Sequence, residues 1–220
     1  MLSFIPTPIG NKEDITLRAL RLLKECEVLF CEDTRTTKNL YRMYDISYSD
    51  KKLLSYTSYS KNLKAYQEII KTTQCGVVSE AWCPWLSDPW KSLIKLCRDH
   101  ALPFEILPGA NALIPTVVAT PIDTSAFIFM WFVPHKKGRQ TFVKKVIDMT
   151  IPVYCYESVH RIKKLLDQLD EMWYTWTLCL WRELTKKFEE FRVGSVSEMK
   201  DAISNWQLTI KWEFVVWFFN

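Results

Sequence analysis

The 220-residue sequence has few glycines and lacks the glycine-rich loops that bind phosphate groups. It contains five glycines, whereas average usage of roughly 7% would give about 15. No G-x-x-x-x-G-K-[ST] motif occurs, and no G-x-G-x-x-G follows the first apolar segment, so nucleoside triphosphate and dinucleotide sites of those types are excluded. The G-x-S-x-G elbow of many serine hydrolases is absent as well.

Cysteine, histidine and apolar patterns exclude further classes. The seven cysteines form no C-x-x-C pair and only three histidines occur, which argues against a disulfide framework or a metal site and predicts core thiols. No apolar stretch approaches 18 residues and no basic segment precedes an apolar one, so we expect a cytoplasmic protein without a signal peptide or membrane span. The net charge of +4 permits a nucleic-acid partner without requiring one.

Short apolar runs alternate with amphipathic stretches through the first half of the chain. This alternation is typical of a parallel sheet with crossover helices, and the predicted strands are 2–5, 27–31, 53–56, 76–79 and 103–107. The stretch 110–124 predicts a short helix and a linker. Beyond it we predict strands 126–129, 153–156, 176–180 and 209–218, with helices 140–149, 159–172 and 196–205. The fold class is therefore α/β, with two α/β domains, 1–114 and 115–220.

Four loops follow the predicted strands of the first domain, and ligands of open α/β sheets bind at that end of the strands. The loops are 6–11, 32–35, 79–90 and 107–112. Each also has a purely structural interpretation, such as a strand-to-helix turn or a helix cap with a surface ion pair. The 79–90 loop stands out because it holds Trp82, Trp85 and Trp90 beside two prolines. Such a loop calls for residues that tolerate positive φ, and tryptophan is a poor choice.

Several blocks of the chain resemble one family. The segment PTPIGNKEDITLRAL at 6–20 is similar to the opening of the ribosomal RNA small subunit methyltransferase I family, within the tetrapyrrole methylase superfamily. EDTR at 32–35, YESVHR at 156–161, and RELTK at 182–186 followed by Glu189 are similar to later blocks in the same order. The resemblance runs from residue 4 to about residue 217. The first and last blocks are specific, whereas the Pro-Gly-x-x-Ala of 108–112 is weak alone.

The resemblance implies a function and an architecture. The function is S-adenosylmethionine-dependent 2′-O-methylation of a cytidine ribose in the decoding region of 16S ribosomal RNA. The architecture has a mostly parallel N-terminal sheet, a mixed C-terminal sheet and a ligand cleft between the domains. The implied partner is small-subunit ribosomal RNA or the 30S subunit, and relatives are commonly homodimers.

Site residues follow from the same resemblance, block by block. The residues implied to line the cofactor site are Pro8, Gly10, Ser79, Glu80, Ala81, Trp82, Pro108, Gly109, Ala110, Trp131 and Phe132, together with the 182–186 block. A ribose hydroxyl needs a base or a stabilising cation, and the candidates are Glu32, Asp33, Glu157, Glu183 and Lys186. Plausible phosphate contacts are Arg35, Lys38, Arg42, Lys136, Lys137 and Arg139. Structural alternatives stay open for both charged sets: ion pairs at a domain interface, or a solvated helix face.

The same family pattern gives the tryptophans a meaning. Six of them stand where glycine is usual: Trp82, Trp85, Trp90, Trp131, Trp181 and Trp212. One hypothesis is that UGA codons meaning glycine in the source organism have been translated as tryptophan. The rival hypothesis is that the tryptophans are genuine and that their indole rings block the cofactor loop. The protein would then be a non-catalytic RNA-binding relative. A tetrapyrrole methyltransferase is a further alternative, although EDTR and RELTK fit the RNA branch better.

Overall fold

The computed structural model describes residues 1–57, 62–79, 90–205, 208 and 213–219. The chain divides into two compact units, Met1–Asn111 and Ala112–Asn220. The predicted boundary between residues 114 and 115 falls inside a helix, Leu113–Val118, that belongs to the second unit. No helix among the described residues is long and apolar enough to cross a membrane.

The first unit is built on a five-stranded parallel sheet. Its strands are β1 (Leu2–Ile5), β2 (Val28–Cys31), β3 (Lys52–Ser55), β4 (Cys75–Val78) and β5 (Phe104–Ile106). Their order is β3-β2-β4-β1-β5, and each neighbouring pair is parallel. Strands buried on both faces have near-continuous apolar sequences, and β1, β2 and β4 are buried at all four positions. The predicted parallel sheet is confirmed.

Four helices cover the two faces of this sheet: α1 (Leu17–Glu25), α2 (Thr34–Met43), α3 (Leu63–Thr72) and α4 (Lys91–Asp99). Successive strand residues point to opposite faces, so Ile5 packs with α1 and α2 while Phe4 packs with α3 and α4. The Tyr41 hydroxyl of α2 donates to the backbone oxygen of Leu23 in α1, which ties these two helices together.

Strands β1 and β4 are neighbours whose connections leave in opposite directions. The chain after β1 continues into α1 on one face, and the chain after β4 continues into α4 on the other face. Such a divergence opens a crevice at the carboxyl ends of the two strands, which is where ligands bind in open α/β sheets. The strand order therefore predicts a ligand site at the carboxyl ends of β1 and β4.

The second unit contains a mixed five-stranded sheet. Its elements in chain order are α5 (Leu113–Val118), β6 (Ile128–Phe132), α6 (Arg139–Ile147), β7 (Val153–Glu157), α7 (Ile162–Glu171), β8 (Thr177–Arg182), β9 (Glu190–Gly194), α8 (Val196–Ser204) and β10 (Phe214–Phe219). The strand order is β6-β7-β10-β8-β9. β6 and β7 are parallel and the other three pairs are antiparallel. The expected mixed sheet is confirmed.

Two details of this sheet differ from the prediction. β9 was not predicted, because its apolar residues Phe191 and Val193 are exposed at the sheet edge and its other residues are polar or glycine. β6 begins at Ile128, two positions after the predicted start at 126. The first positions of the predicted last strand, 209–212, lie outside the described residues.

Helices α2, α4 and α7 end in the same motif, in which the residue after the C-cap has a positive φ. These residues are Asp45 (φ 52°), Ala101 (φ 51°) and Trp173 (φ 55°). For α7, the Trp173 N–H donates to the Asp170 oxygen and the Tyr174 N–H donates to the Leu169 oxygen. This is the Schellman pattern, and glycine is its usual residue at this position. The exposed Trp173 side chain, at 87% of full accessibility, gains nothing from packing that would offset the backbone strain.

We expect Trp173→Gly to stabilise the protein by about 1 kcal/mol, because the left-handed conformation costs L-residues more than it costs glycine. A thermal melt should show a midpoint about 2–4 °C higher. Trp173→Ala is the matched control, since it removes the ring and keeps the strained Cβ. An equal gain from Trp173→Ala would mean that the exposed ring, and not the backbone, causes the effect.

Candidate functional site

Three loops meet at the carboxyl edge of the first sheet. The Thr7 hydroxyl, just after β1, donates to the backbone oxygen of Ser79, just after β4, at 3.2 Å. After β5, Gly109 lies so close to Pro6 that a Cβ added to Gly109 would be 2.2 Å from the Pro6 Cγ. Only glycine permits this approach. The loops 6–11 and 107–112 are therefore in contact, and loop 6–11 is also hydrogen-bonded to Ser79 at the end of β4.

A cavity of about 240 Å³ opens at this edge, at the crevice between β1 and β4. It brings together three residues of the expected cofactor set, Pro8, Gly10 and Ser79, with one side of α2 between residues 36 and 43. Its lining is mainly apolar, with a few hydroxyl and amide groups, and consists of Thr7, Pro8, Ile9, Gly10, Lys12, Thr36, Thr37, Asn39, Leu40, Met43, Val78 and Ser79. An apolar concavity with a few polar groups is the usual form of a small-molecule site.

Two acidic residues, Glu32 and Asp33, follow β2 at the same edge, and the contacts of Asp33 are structural. The Asp33 carboxylate caps α2 by accepting from the Arg35 N–H at 2.7 Å, and it also accepts from the Arg35 guanidinium. The bonds from Arg35 lower the pKa of Asp33 to about 2. A general base works best with a pKa near the working pH. Asp33 is therefore a poor candidate for accepting a proton at neutral pH.

The second unit also gathers its predicted residues at one sheet edge. Phe132 of β6 pairs with Tyr156 of β7, and Phe214 at the start of β10 pairs with Glu157 on one side and Arg182 on the other. The carboxyl ends of β6, β7 and β8 consequently meet around the start of β10. The aromatic residues Trp131, Phe132 and Tyr156 contact one another there, with ring centroids 5.4–5.5 Å apart.

Glu157 forms a buried ion-pair cluster at this edge. Its carboxylate is 0% exposed and accepts from Arg139 at 2.7 Å, from Arg161 at 2.8 Å and from the Ser158 N–H at 2.7 Å. Arg139 is 3% exposed and also donates to the Gln168 side chain and the Pro134 oxygen.

Two expectations are corrected by this cluster. Arg139 cannot contact an RNA phosphate, because its guanidinium is buried and its donors are engaged. Glu157 is equally unsuited to take a proton from a substrate, because both of its oxygens accept hydrogen bonds inside the protein. Arg139 and Glu157 are 18 residues apart in the chain, so no local sequence pattern indicates that they pair.

The loop of residues 183–186, which follows β8, has an unusual backbone. Glu183 has φ 54° and Thr185 has φ 66°, although neither is glycine. The Lys186 ammonium pairs with the Glu183 carboxylate at 2.8 Å. The Thr185 hydroxyl is buried and has no hydrogen-bond partner among the described residues. Strained backbone of this kind clusters at functional sites.

Glu213 is a further acidic residue near the start of β10, and the sequence did not single it out. Glu213 is exposed as a residue, but partial burial of its carboxyl group raises the pKa of that group, and the positive charges of Lys186 and Arg161 oppose the rise. Glu213 immediately precedes β10, so it lies at the same edge as the 183–186 loop. The sequence signal that was available is its position next to Trp212, one of the six tryptophans at positions where glycine is usual.

The tryptophans fall into different backbone environments. Trp131 has φ 40°, in the left-handed region that favours glycine, and lies at a register shift between β6 and β7. Trp90 has an ordinary helical φ of −65°, and its buried ring stacks on Tyr56. Trp181 lies in β8, where its indole N–H donates to Glu189. Of the three predicted glycine positions that the structure describes, Trp90, Trp131 and Trp181, the backbone thus favours glycine at Trp131.

The remaining predicted residues are placed as follows. Pro108 and Ala110 flank Gly109 in the loop after β5, and Lys136 and Lys137 are exposed before α6. Arg35 and Arg42 are exposed on α2, and Lys38 is half-buried there. The predictions for Glu80, Ala81, Trp82, Trp85 and Trp212 lie outside the described residues.

The thiols and acidic groups form no metal centre in the part of the chain that the structure describes. The six described cysteines are buried and free. Burial raises the pKa of the Cys155 thiol well above its usual value, so this thiol stays protonated. These cysteines act as small core residues.

Comparison with known proteins identifies the class. Residues 1–200 match the family model of Tetrapyrrole (Corrin/Porphyrin) Methylases, and the chain therefore belongs to that family. A crystal structure of diphthine synthase has a similar fold, with a TM-score of 0.74 and 12% identity, covering 99% of this chain and 89% of that one.

Curated relatives narrow the assignment. The chain is 36% identical to ribosomal RNA small subunit methyltransferase I of Helicobacter pylori (strain ATCC 700392 / 26695), covering 100% of this chain and 83% of the relative. It is 36% identical to the protein of the same name from Hydrogenobaculum sp. (strain Y04AAS1), covering 98% and 94%. The match to the Bacillus subtilis (strain 168) protein is 35%, covering 90% and 68%. Within the tetrapyrrole methylases, the chain is thus a member of the ribosomal RNA small subunit methyltransferase I family.

Proposed function

We propose that the protein transfers a methyl group from S-adenosylmethionine to the ribose 2′-hydroxyl of a cytidine in the decoding region of small-subunit ribosomal RNA. Membership of the methyltransferase I family supports the reaction class and the RNA substrate. The structural observation that carries the proposal is the convergence of three loops at the β1–β4 crevice, fixed by the Thr7–Ser79 hydrogen bond and the Pro6–Gly109 contact.

The residues at this edge fit a nucleoside-containing cofactor. Pro8, Gly10 and Ser79 line a cavity with apolar walls for an adenine ring or a methionyl chain and with hydroxyl groups for polar atoms. Pro108, Gly109 and Ala110 belong to the adjacent loop. In the second unit, Trp131 and Phe132 are the proposed cofactor contacts. When bound, S-adenosylmethionine supplies an electrophilic methyl group on a sulfonium sulfur.

The protein has to orient the ribose hydroxyl in line with that methyl group and accept its proton. A new carbon–oxygen bond forms as the carbon–sulfur bond breaks, and the electron pair of that bond stays on sulfur. Positioning supplies much of the acceleration in such displacements. We propose Glu32, Glu183 and Glu213 as candidate proton acceptors and Lys186 as the cation that stabilises the developing alkoxide. The carboxylates of Asp33 and Glu157 are engaged structurally.

RNA contacts are proposed on two basic surfaces, α2 and the turn before α6. On α2, the Arg42 guanidinium donates to Asn39 and Tyr48, and Arg35 pairs with Asp33. Lys136 and Lys137 are exposed immediately before the positive-φ residue Gly138, which is the N-cap of α6. Exposed lysines suit phosphate contacts, which set position and affinity and carry no sequence information.

We expect the double substitution Lys136→Ala and Lys137→Ala to weaken RNA binding and to flatten its salt dependence by about two in the slope of log K against log [salt]. Fluorescence anisotropy with a decoding-region hairpin at several salt concentrations measures both. The control is Lys144→Ala with Lys145→Ala, two lysines at the other end of the same helix. An unchanged slope for the 136/137 variant would remove this surface from the proposal.

The function is tested by methylation of small-subunit ribosomal RNA, with the modified atom located by mass spectrometry of the nucleosides. Two chains are compared, the one with all ten tryptophans and one with glycine at the six predicted positions. Activity on the cytidine 2′-oxygen by either chain supports the proposal. Methylation of a tetrapyrrole alone would support the superfamily alternative. RNA binding without cofactor binding by both chains would support the non-catalytic alternative.

A further inference from the structure

The 183–186 loop contains two residues in a backbone conformation that L-residues rarely adopt. Glu183 (φ 54°) and Thr185 (φ 66°) lie within three positions of each other. The conformation is rarest for β-branched residues such as threonine, because their branched Cβ crowds the backbone. A glycine at position 185 would adopt the same φ without strain. Threonine at this position therefore works against stability.

Surrounding contacts hold the loop in this shape. The Thr185 N–H donates to one oxygen of the Glu189 carboxylate at 2.8 Å, and the Trp181 indole donates to the other at 2.9 Å. The Lys186 N–H donates to the Glu183 backbone oxygen at 2.8 Å, and their side chains form an ion pair. The shape is thus fixed by several independent bonds, as expected where strain is kept for a function.

The Thr185 hydroxyl adds a second, independent anomaly. Its oxygen is buried, yet it has no hydrogen-bond partner among the described residues. A buried hydroxyl without a partner costs free energy, and such groups in native proteins call for an explanation. Strain and an unpartnered hydroxyl coincide at one residue, and glycine would remove both. The side chain is explained if its partner is a ligand.

We propose that the 183–186 loop binds ribose, with the Thr185 hydroxyl making a hydrogen bond to a ribose hydroxyl of a bound ribonucleoside. This inference rests on the proposed function, whose two ligands both carry a ribose: the adenosyl group of the cofactor and the RNA nucleotide. A threonine hydroxyl both donates and accepts, which matches a ribose diol. The neighbouring Glu183 carboxylate is the group that commonly accepts from ribose hydroxyls in nucleotide sites.

The test uses Thr185→Gly and Thr185→Ser in the full-length chain that is active in the methylation assay, or in the chain with all ten tryptophans if neither is active. S-adenosylhomocysteine and its 2′- and 3′-deoxy analogues are titrated by calorimetry. A decoding-region RNA hairpin and its version with one 2′-deoxycytidine are titrated by anisotropy. These two arms distinguish the cofactor ribose from the RNA ribose. Thermal melts of each variant report on the strain.

We expect Thr185→Gly to melt at a higher temperature than the parent and yet to bind one of the two ribose-bearing ligands about fivefold to tenfold more weakly, with no preference left over its deoxy analogue. Thr185→Ser should keep that preference, since it retains the hydroxyl. A merely structural threonine predicts the gain in stability without the loss of binding.

Unchanged affinity of Thr185→Gly for both ligands would overturn the inference while leaving the proposed methylation intact. A parent chain that shows the Thr185-dependent ribose preference but methylates no RNA would support the inference and contradict the proposed function. Absence of binding to both ligands by the parent chain would overturn both.

Discussion

Glu157→Gln is expected to destabilise the protein by about 3 kcal/mol or more, in the range seen when one partner of a buried ion pair is removed. Arg139, 3% exposed, would keep its charge without a counter-ion beside it. The amide NH₂ of the new glutamine would also face a guanidinium or N–H donor, because both carboxylate oxygens accept hydrogen bonds in the protein. For a chain of this length the melting temperature should fall by roughly 6–12 °C.

The control is the double variant Arg139→Met with Glu157→Leu, which removes both buried charges. Replacing a buried pair by apolar residues of similar volume is often close to neutral, so this variant should be more stable than Glu157→Gln. Methylation per folded molecule should be unchanged in Glu157→Gln. A small loss of stability with a large fall in kcat would instead place Glu157 among the catalytic residues.

The first sheet could be predicted from sequence because each of its elements leaves a local signal. β1, β2 and β4 are short apolar runs buried on both faces, and the helices between them carry apolar residues at helical spacing. The carboxyl ends of parallel strands lie at one edge, so the loops 6–11, 32–35 and 107–112 could be assigned to one side of the sheet before their contacts were known.

Other features have no local signal. Pairing of Arg139 with Glu157 depends on the packing of β7 and α6. In the sequence, Arg139 belongs to the same basic segment as the exposed Lys136 and Lys137, so nothing local distinguishes it from them. β9 escapes prediction because an edge strand need not be apolar. Several bonds hold the strained φ of Thr185, including the one from its N–H to the Glu189 carboxylate, and propensity alone would not place a β-branched residue in the left-handed region.

The backbone φ at each tryptophan is a separate test of the hypothesis that some tryptophans stand for glycine. Trp131 was predicted to stand for glycine and has a positive φ, while Trp173 was not predicted and has one as well. A buried indole at Trp90 stacks on Tyr56 with an ordinary backbone. Family pattern and backbone conformation are thus independent criteria, and they coincide at Trp131. Sequencing the codons distinguishes UGA from UGG at all ten positions.

Gly109→Ala is expected to destabilise the protein by about 1–3 kcal/mol, as overpacking does, and to weaken S-adenosylmethionine binding. The new Cβ would lie 2.2 Å from the Pro6 Cγ and 2.4 Å from its Cβ, so the loop after β1 would have to move. That loop also carries Pro8 and Gly10, which line the cavity. Denaturant unfolding and calorimetry with the cofactor measure the two effects.

The same substitution in a Pro6→Gly background shows whether this one contact is responsible. Pro6→Gly removes both atoms that the new Cβ would meet, so Gly109→Ala should cost less there, and the double-mutant cycle should give a coupling of at least about 1 kcal/mol. Additive effects would mean that Gly109 is needed for a reason other than its approach to Pro6. Coupling in both stability and cofactor affinity would show that cofactor binding depends on the close approach of Gly109 to Pro6, which brings the loops after β1 and β5 together.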